Sequence, residues 1–170
     1  IIIAPTRELV LQIYNDAKKI CSQSQINVAM HRGNSSKNQE VPSEGHRFLT
    51  TAKKNNIGKE HIIVATPGRL KALINESQFI DNATPKIKID TTFVSQIVLD
   101  ECDKMLATSA RSSCMADDID YVLTKVPEFT RILYYSATMS PNVRLHAQNR
   151  NRNPMFFSFE EGLSTDVLRR

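Results

Sequence analysis

"IVLDECDKML", Ile97–Leu106, runs from an uncharged apolar stretch straight into Asp100, Glu101, Cys102, Asp103 and Lys104. Carboxylates so crowded repel one another unless a cation or strong donors stand opposite them. An apolar strand ending in Asp-Glu has what magnesium-nucleotide hydrolysis requires: one carboxylate to hold the metal through water, and one to orient or deprotonate the attacking water. A capped, solvated helix start would give the same letters. A glycosidase pair fits poorly, because adjacent carboxylates after a strand point to opposite sides.

Outward from this stretch the chain repeats one pattern: a short β-rich run, a polar or glycine-bearing junction, then a segment of helical period, which is the signature of a parallel α/β sheet. "IIIAP" opens as a buried strand, and Leu9, Ile13, Ala17 and Ile20 follow at helical spacing with Thr6 as cap. Asn27 to His31 reads as a second strand. Residues 34–60 are polar, a loop in "NSSKNQEVPSEG" and a short helix in "HRFLTTAKKNN". "HIIVAT" is a third strand, with Leu70, Leu73 and Ile74 on one face of the next helix, and "FVSQIVL" is a fourth.

Residues 106–116, "LATSARSSCMA", show little pattern and are expected to form a loop or irregular turn. Ile119, Val122, Leu123 and Val126 then make a helical stripe, with Asp117, Asp118 and Asp120 at the positive end of its dipole. "RILYYSA" is a fifth strand, Pro141 opens a helix, and "MFFSF" is a sixth strand. The expected fold is α/β, a parallel sheet with helices on both faces, over residues 1–159. Residues 160–170 read as the start of a linker.

Composition narrows the classes. The 170 residues carry 41% hydrophobic side chains, enough for one domain with a core of its own. No apolar stretch approaches the roughly 20 residues that cross a bilayer, and no basic-then-apolar leader opens the chain, so no membrane is expected and the protein reads as intracellular. Cys21, Cys102 and Cys114 lack C-x-x-C spacing, and His31, His46, His61 and His146 lack an i, i+4 pair. Reduced thiols and non-ligating imidazoles are the expectation. A net charge of +4 permits a polyanionic partner without demanding one.

Ligands of parallel α/β sheets sit beyond the carboxyl ends of the strands. The junctions there are Pro5-Thr6-Arg7-Glu8, Thr66-Pro67-Gly68-Arg69, Asp100-Glu101-Cys102-Asp103 and Ser136-Ala137-Thr138. "PTRE" and "TPGR" each set a hydroxyl, a sharp turn and an arginine at a helix N-terminus, where exposed N–H groups and the dipole favour phosphate. The plainer reading of either is a turn with an exposed arginine. Ser136 lacks the flanking glycines of a nucleophile elbow.

"PTREL", "TPGRL", "DECD" and "SAT", in this order and spacing, resemble the first RecA-like domain of a DEAD-box RNA helicase, a P-loop NTPase type of fold, over nearly the whole chain. The resemblance implies that Asp100 holds the Mg2+ of bound ATP through water and that Glu101 positions the hydrolytic water. It implies that Asp103 bonds to Ser136 and Thr138, linking nucleotide state to domain closure. Pro5, Thr6, Arg7, Glu8, Gly33, Thr66, Pro67, Gly68 and Arg69 then form the RNA-binding set, gripping phosphates and sugars without reading sequence. Two features depart from the pattern: Arg32 stands where a glycine is usual, and "ATSARSSCMADD" replaces a short glycine-phenylalanine turn. "DECDKML" and "NPMFFSFEE" are similar to the DECD subgroup, whose members act in pre-mRNA splicing and mRNA export, which implies a nuclear rather than cytoplasmic site and splicing or export proteins as partners.

The glycine-rich phosphate loop, G-x-x-x-x-G-K-[ST], occurs nowhere in the 170 residues. In the family its strand lies upstream of "IIIAP" and between the "RILYYSA" and "MFFSF" strands. The expectation is therefore a RecA-like domain missing its phosphate-loop strand, part of a longer ATP-dependent helicase whose second RecA-like domain lies outside the sequence, and inactive by itself. The protein would couple Mg-ATP hydrolysis to binding and unwinding RNA, single-stranded or duplex, or to remodelling its complexes. The alternative is a catalytically inactive RNA-binding or interaction module on a degenerate helicase fold.

Overall fold

In the computed structural model residues 1–32, 60–75, 89–107, 110–151 and 153–158 are described, the backbone alone at 110–113. The apolar runs become strands β1 (Ile2–Ile3), β2 (Val28–His31), β3 (Ile62–Ala65), β4 (Gln96–Leu99) and β5 (Arg131–Tyr134). The helical segments become α1 (Arg7–Ile20), α2 (Pro67–Ile74), α3 (Cys102–Met105), α4 (Ala110–Leu123) and α5 (Pro141–Arg150). The strands form one sheet in the order β2-β3-β1-β4-β5, every pair parallel. This is the expected architecture.

Side-chain alternation along each strand divides the core in two. Ile3, Ala65, Ile97 and Leu99 point to one face, where they meet Leu70 and Leu73 of α2, Cys102 and Met105 of α3, Ile119 and Val122 of α4 and Val143 of α5. Ala4 and Val64 point to the other, with Val10, Leu9, Ile13 and Tyr14 of α1 packed over them. A strand so covered on both faces needs a continuous apolar run, which "IIIA", "IIVA" and "IVL" supply. β1 is only two residues long, yet it holds the centre. Its ladder continues past both ends, with Val98 N donating to Ile1 O at 2.8 Å, Asp100 N to Ile3 O at 2.9 Å and Ala4 N to Ala65 O at 3.1 Å.

Helix starts follow the expected chemistry. Thr6 Oγ1 accepts the Leu9 amide at 3.2 Å, and Ser140 does the same for Val143 at 3.4 Å, with Pro141 in the first turn as expected.

Four expectations are corrected. Residues 110–116 are not a loop but the first half of α4. They contain neither glycine nor proline, and Met115 and Ala116 extend the stripe of Ile119, Val122 and Leu123 onto the core. Asp117, Asp118 and Asp120 consequently lie mid-helix, away from the positive end, and two of them pair sideways: Asp118 with Lys71, Asp120 with His146 and Arg150. Ile20, at the end of α1, is 84% exposed, and Val10 is the fully buried residue of the helix instead. "MFFSF" is no strand among the described residues, which show only an isolated bridge at Phe156, whose ring faces the Arg144 guanidinium at 4.6 Å. Gly33, the loop and helix expected within 34–60, and the linker at 160–170 lie outside the described residues, Glu60 excepted.

Candidate nucleotide and nucleic-acid site

The parallel register sets the carboxyl ends of the strands level. His31 pairs with Ala65, Ile3 with both Ala65 and Leu99, and Leu99 with Tyr134. The junctions that follow therefore emerge side by side along one edge, in the order of the strands rather than of the chain. Thr66–Arg69 and Pro5–Glu8 are neighbours on one half, and Asp100–Asp103 and Ser136–Thr138 on the other. Sheet order thus sets a cationic half beside an acidic and hydroxyl half, with Pro5–Glu8 next to Asp100–Asp103.

In the acidic half, Asp100 is half-buried and its Oδ1 accepts the Glu101 amide at 2.9 Å. Glu101 has φ 49° and ψ 44°, the one non-glycine residue with positive φ among those described. Such a backbone costs roughly 1–2 kcal/mol and persists only where the surroundings impose it. Here the imposition comes from both sides: the Asp100 bond before it and, after it, Cys102 N donating to Tyr135 O, just past the end of β5, at 3.1 Å. The Glu101 carboxylate pairs with Lys104 Nζ at 2.8 Å, at a half-open surface.

Cys102 is fully buried, and burial pushes its thiol up to about 11, so it is a packing residue rather than a nucleophile. Asp103 Oδ2 accepts the Thr138 hydroxyl at 2.6 Å, and this bond is the first cause holding its carboxyl below the usual range. The Ser136 hydroxyl donates to Thr138 O at 2.7 Å and accepts the Thr138 amide at 3.2 Å, shaping the turn that presents Thr138. The direct bond of Asp103 is thus to Thr138, with Ser136 a weaker contributor to the same carboxylate.

Magnesium held beside a nucleotide takes one or two protein carboxylates, with water and phosphate oxygens completing its shell. Asp100, half-buried at a strand end with only hard oxygen to offer, fits that demand.

In the cationic half, Thr6 and Glu8 are exposed and Arg7 half-exposed at the start of α1. Thr66 precedes α2 without a side-chain cap bond, Pro67 is buried as its first residue, and Gly68 is exposed. A Cβ on Gly68 would stand 3.1 Å from Asp118 Oδ2, so this glycine answers a close approach by α4. His31 lies on the α2 face of the sheet, 3% exposed, and its Nδ1 has no hydrogen-bond partner among the described residues. Burial first, and then the nearby charge of Arg69, drop its pKa to about 4.

Sequence reasoning passed over His31, Lys71, Lys104 and Asp118. Only Lys104 left a signal, one helical turn after Glu101. The others depend on which elements pack together.

A five-stranded, all-parallel sheet with helices on both faces and its charged junctions gathered at the strand carboxyl ends is an α/β domain of the RecA type. Structural comparison agrees on the fold: Saccharomyces cerevisiae Dbp5 bound to RNA and ADP BeF3 superposes over 88% of this chain and 30% of that one, with a TM-score of 0.61 and 23% identity. The chain belongs to the DEAD/DEAH box helicase family, whose profile matches residues 1–146. It is 28% identical over 91% of its length to the ATP-dependent RNA helicase SUB2 of Eremothecium gossypii, and 32% over 91% to the DEAD-box ATP-dependent RNA helicase CshA of Bacillus cereus. It spans 30% and 24% of those two proteins.

Proposed function

We propose that the chain is the acidic and RNA-gripping part of an ATP-dependent RNA helicase, a protein that couples Mg-ATP hydrolysis to sequence-independent binding and remodelling of RNA. The observation that carries this reading is the Asp103–Thr138 bond of 2.6 Å, which ties the acidic junction to the hydroxyl junction on the adjacent strand. A solvated helix start has no use for such a tie, whereas a site that must report nucleotide state to the next domain does.

On this reading Asp100 would hold the metal through water, and the metal would neutralise charge on the transferring phosphate. Glu101 would leave Lys104 to orient and deprotonate the hydrolytic water. Arg7, Arg69 and the N-terminal turns of α1 and α2 would contact RNA phosphates, with Thr6, Thr66, Gly68 and Gly33 close to the backbone. A second RecA-like domain would complete the cleft. The resemblance of "DECDKML" to the DECD subgroup favours a nuclear role in mRNA processing or export, with partners drawn from that machinery.

The test is RNA-stimulated ATP hydrolysis by the intact protein. Glu101→Gln is expected to reduce it by a factor of about 100 or more, while RNA binding is retained. Equal hydrolysis by the variant removes Glu101 from the catalytic role. Salt-sensitive RNA binding that no ATP analogue alters, with no hydrolysis at all, would instead favour the inactive binding module.

A further inference from the structure

The first turn of α2 is held from behind. Asp118 of α4 directs one carboxylate oxygen to Lys71 Nζ at 2.7 Å and the other to the space beside Gly68, 3.1 Å from where a Cβ would stand. Lys71 is fixed a second time, 5.5 Å from the centre of the Tyr121 ring, which Lys125 also approaches at 5.3 Å. Both members of the ion pair are only part exposed, at 32% and 22%, so the bond is less screened than a surface pair. The neighbouring residue Ile119 is fully buried, so the carboxylate stands on a helix anchored in the core. α4 also packs on α3, the helix that begins inside the acidic junction.

We propose that Asp118 is a positioning residue for the nucleic-acid junction: through Lys71 and the gap at Gly68 it sets where the Thr66–Arg69 turn stands, and so governs affinity for a single-stranded RNA backbone. The consequence for RNA rests on the functional reading given above; the placement of the turn does not. Asp118 itself repels phosphate, so its effect on RNA runs through the turn. Lys71 is neutralised by Asp118 and serves as its handle.

Anisotropy titrations of a labelled, unstructured RNA oligonucleotide against the full chain, over a series of salt concentrations, test this. Asp118→Asn, which keeps the shape and removes the charge, and Lys71→Met are each expected to weaken binding roughly fivefold. The double variant is expected to be no weaker than either single one. The slope of log affinity against log salt should stay as in the wild type, because neither side chain meets a phosphate. Losses that add up, with a slope lowered by about one in Lys71→Met, would make Lys71 a direct phosphate contact and overturn the proposal.

A second measurement separates failure of the proposal from failure of the RNA reading. In urea unfolding, Gly68→Ala should lower the midpoint when Asp118 is present. In an Asp118→Ala background it should raise the midpoint, since alanine suits a helical turn better than glycine. The same shift in both backgrounds means that Asp118 does not set the turn, and the proposal falls. A wild-type chain that does not bind RNA, but shows the opposite shifts, overturns the RNA reading and leaves the placement of the turn standing.

Discussion

Glu101 is where local preference and function part company. A glutamate in the left-handed region is held against its own sterics by Asp100 on one side and Tyr135 on the other. Replacing it with glycine removes that strain and loses only a half-exposed pair with Lys104, of small worth. Glu101→Gly is therefore expected to stabilise the fold by about 0.5–1 kcal/mol in urea unfolding. His31 tells a related story through protons. Its folded pKa of about 4 lies below the ordinary 6.5, so the unfolded chain takes up the proton first as pH falls. Its contribution is complete above 6.5 and is lost as pH drops toward 4. Between about pH 7.5 and about pH 5 this amounts to roughly 2 kcal/mol, and His31→Phe should flatten that part of the urea-midpoint profile. The crowding of the "DECD" carboxylates after an apolar run was legible as a candidate site. The backbone of Glu101 and the burial of His31, whose Nδ1 has no partner among the described residues, were not, since Tyr135 in the first case and the packing of β2 on β3 in the second are set by residues far away in the chain.

At the scale of elements, the strands and α1, α2 and α5 could be read from apolar runs and junction chemistry, because those signals are local. α4 could not be read in full. Its first half, "ARSSCMA", has serines that favour turns in isolation, and its apolar stripe shows only once Met115 is counted with Ile119 and Val122. A proline distinguishes the two readings. Cys114 lies past the first turn of α4, so Cys114→Pro removes an intrahelical bond and should cost about 3 kcal/mol or more, where a loop would tolerate it. A loss under about 1 kcal/mol would return the segment to a loop. The far end of the same helix is tied by polar bonds that periodicity does not reveal. Asp120 accepts from Arg150 and from His146 Nε2 at 3.1 Å, while Tyr134 and His146 Nδ1 lie 2.9 Å apart. A neutral imidazole satisfies both: Nε2–H donates to Asp120, and Nδ1 accepts the Tyr134 hydroxyl. Burial lowers the pKa of His146, which keeps it in that form and joins α4, α5 and β5.

For the whole molecule, strand order turns motifs that lie far apart in the chain into neighbours on one surface, with the cationic junctions beside the acidic one. That Pro5–Glu8, rather than Thr66–Arg69, adjoins the acidic junction was not legible, because nothing local says that β1 lies between β3 and β4. The consequence of this order concerns the nucleotide. The acidic junction follows β4, between β1 and β5, and β5 ends the row among the described strands. A carboxylate cluster alone repels a triphosphate; the attraction comes from backbone N–H groups and a lysine of the G-x-x-x-x-G-K-[ST] kind, which these 170 residues do not contain. Magnesium can bridge Asp100 to phosphates only when something else holds them. Mg-ATP is therefore expected to leave the melting temperature of the 170-residue chain unmoved. A form extended by a G-x-x-x-x-G-K-[ST] phosphate loop should gain the stabilisation that ligand binding confers, about 2.7 kcal/mol at a hundredfold excess over Kd. Differential scanning fluorimetry of both forms, with Asp100→Ala as control in the longer one, reads this directly. A saturable, magnesium-dependent upward shift in the 170-residue chain alone would mean that the acidic half grips nucleotide unaided, and the division of labour between the two halves would have to be redrawn.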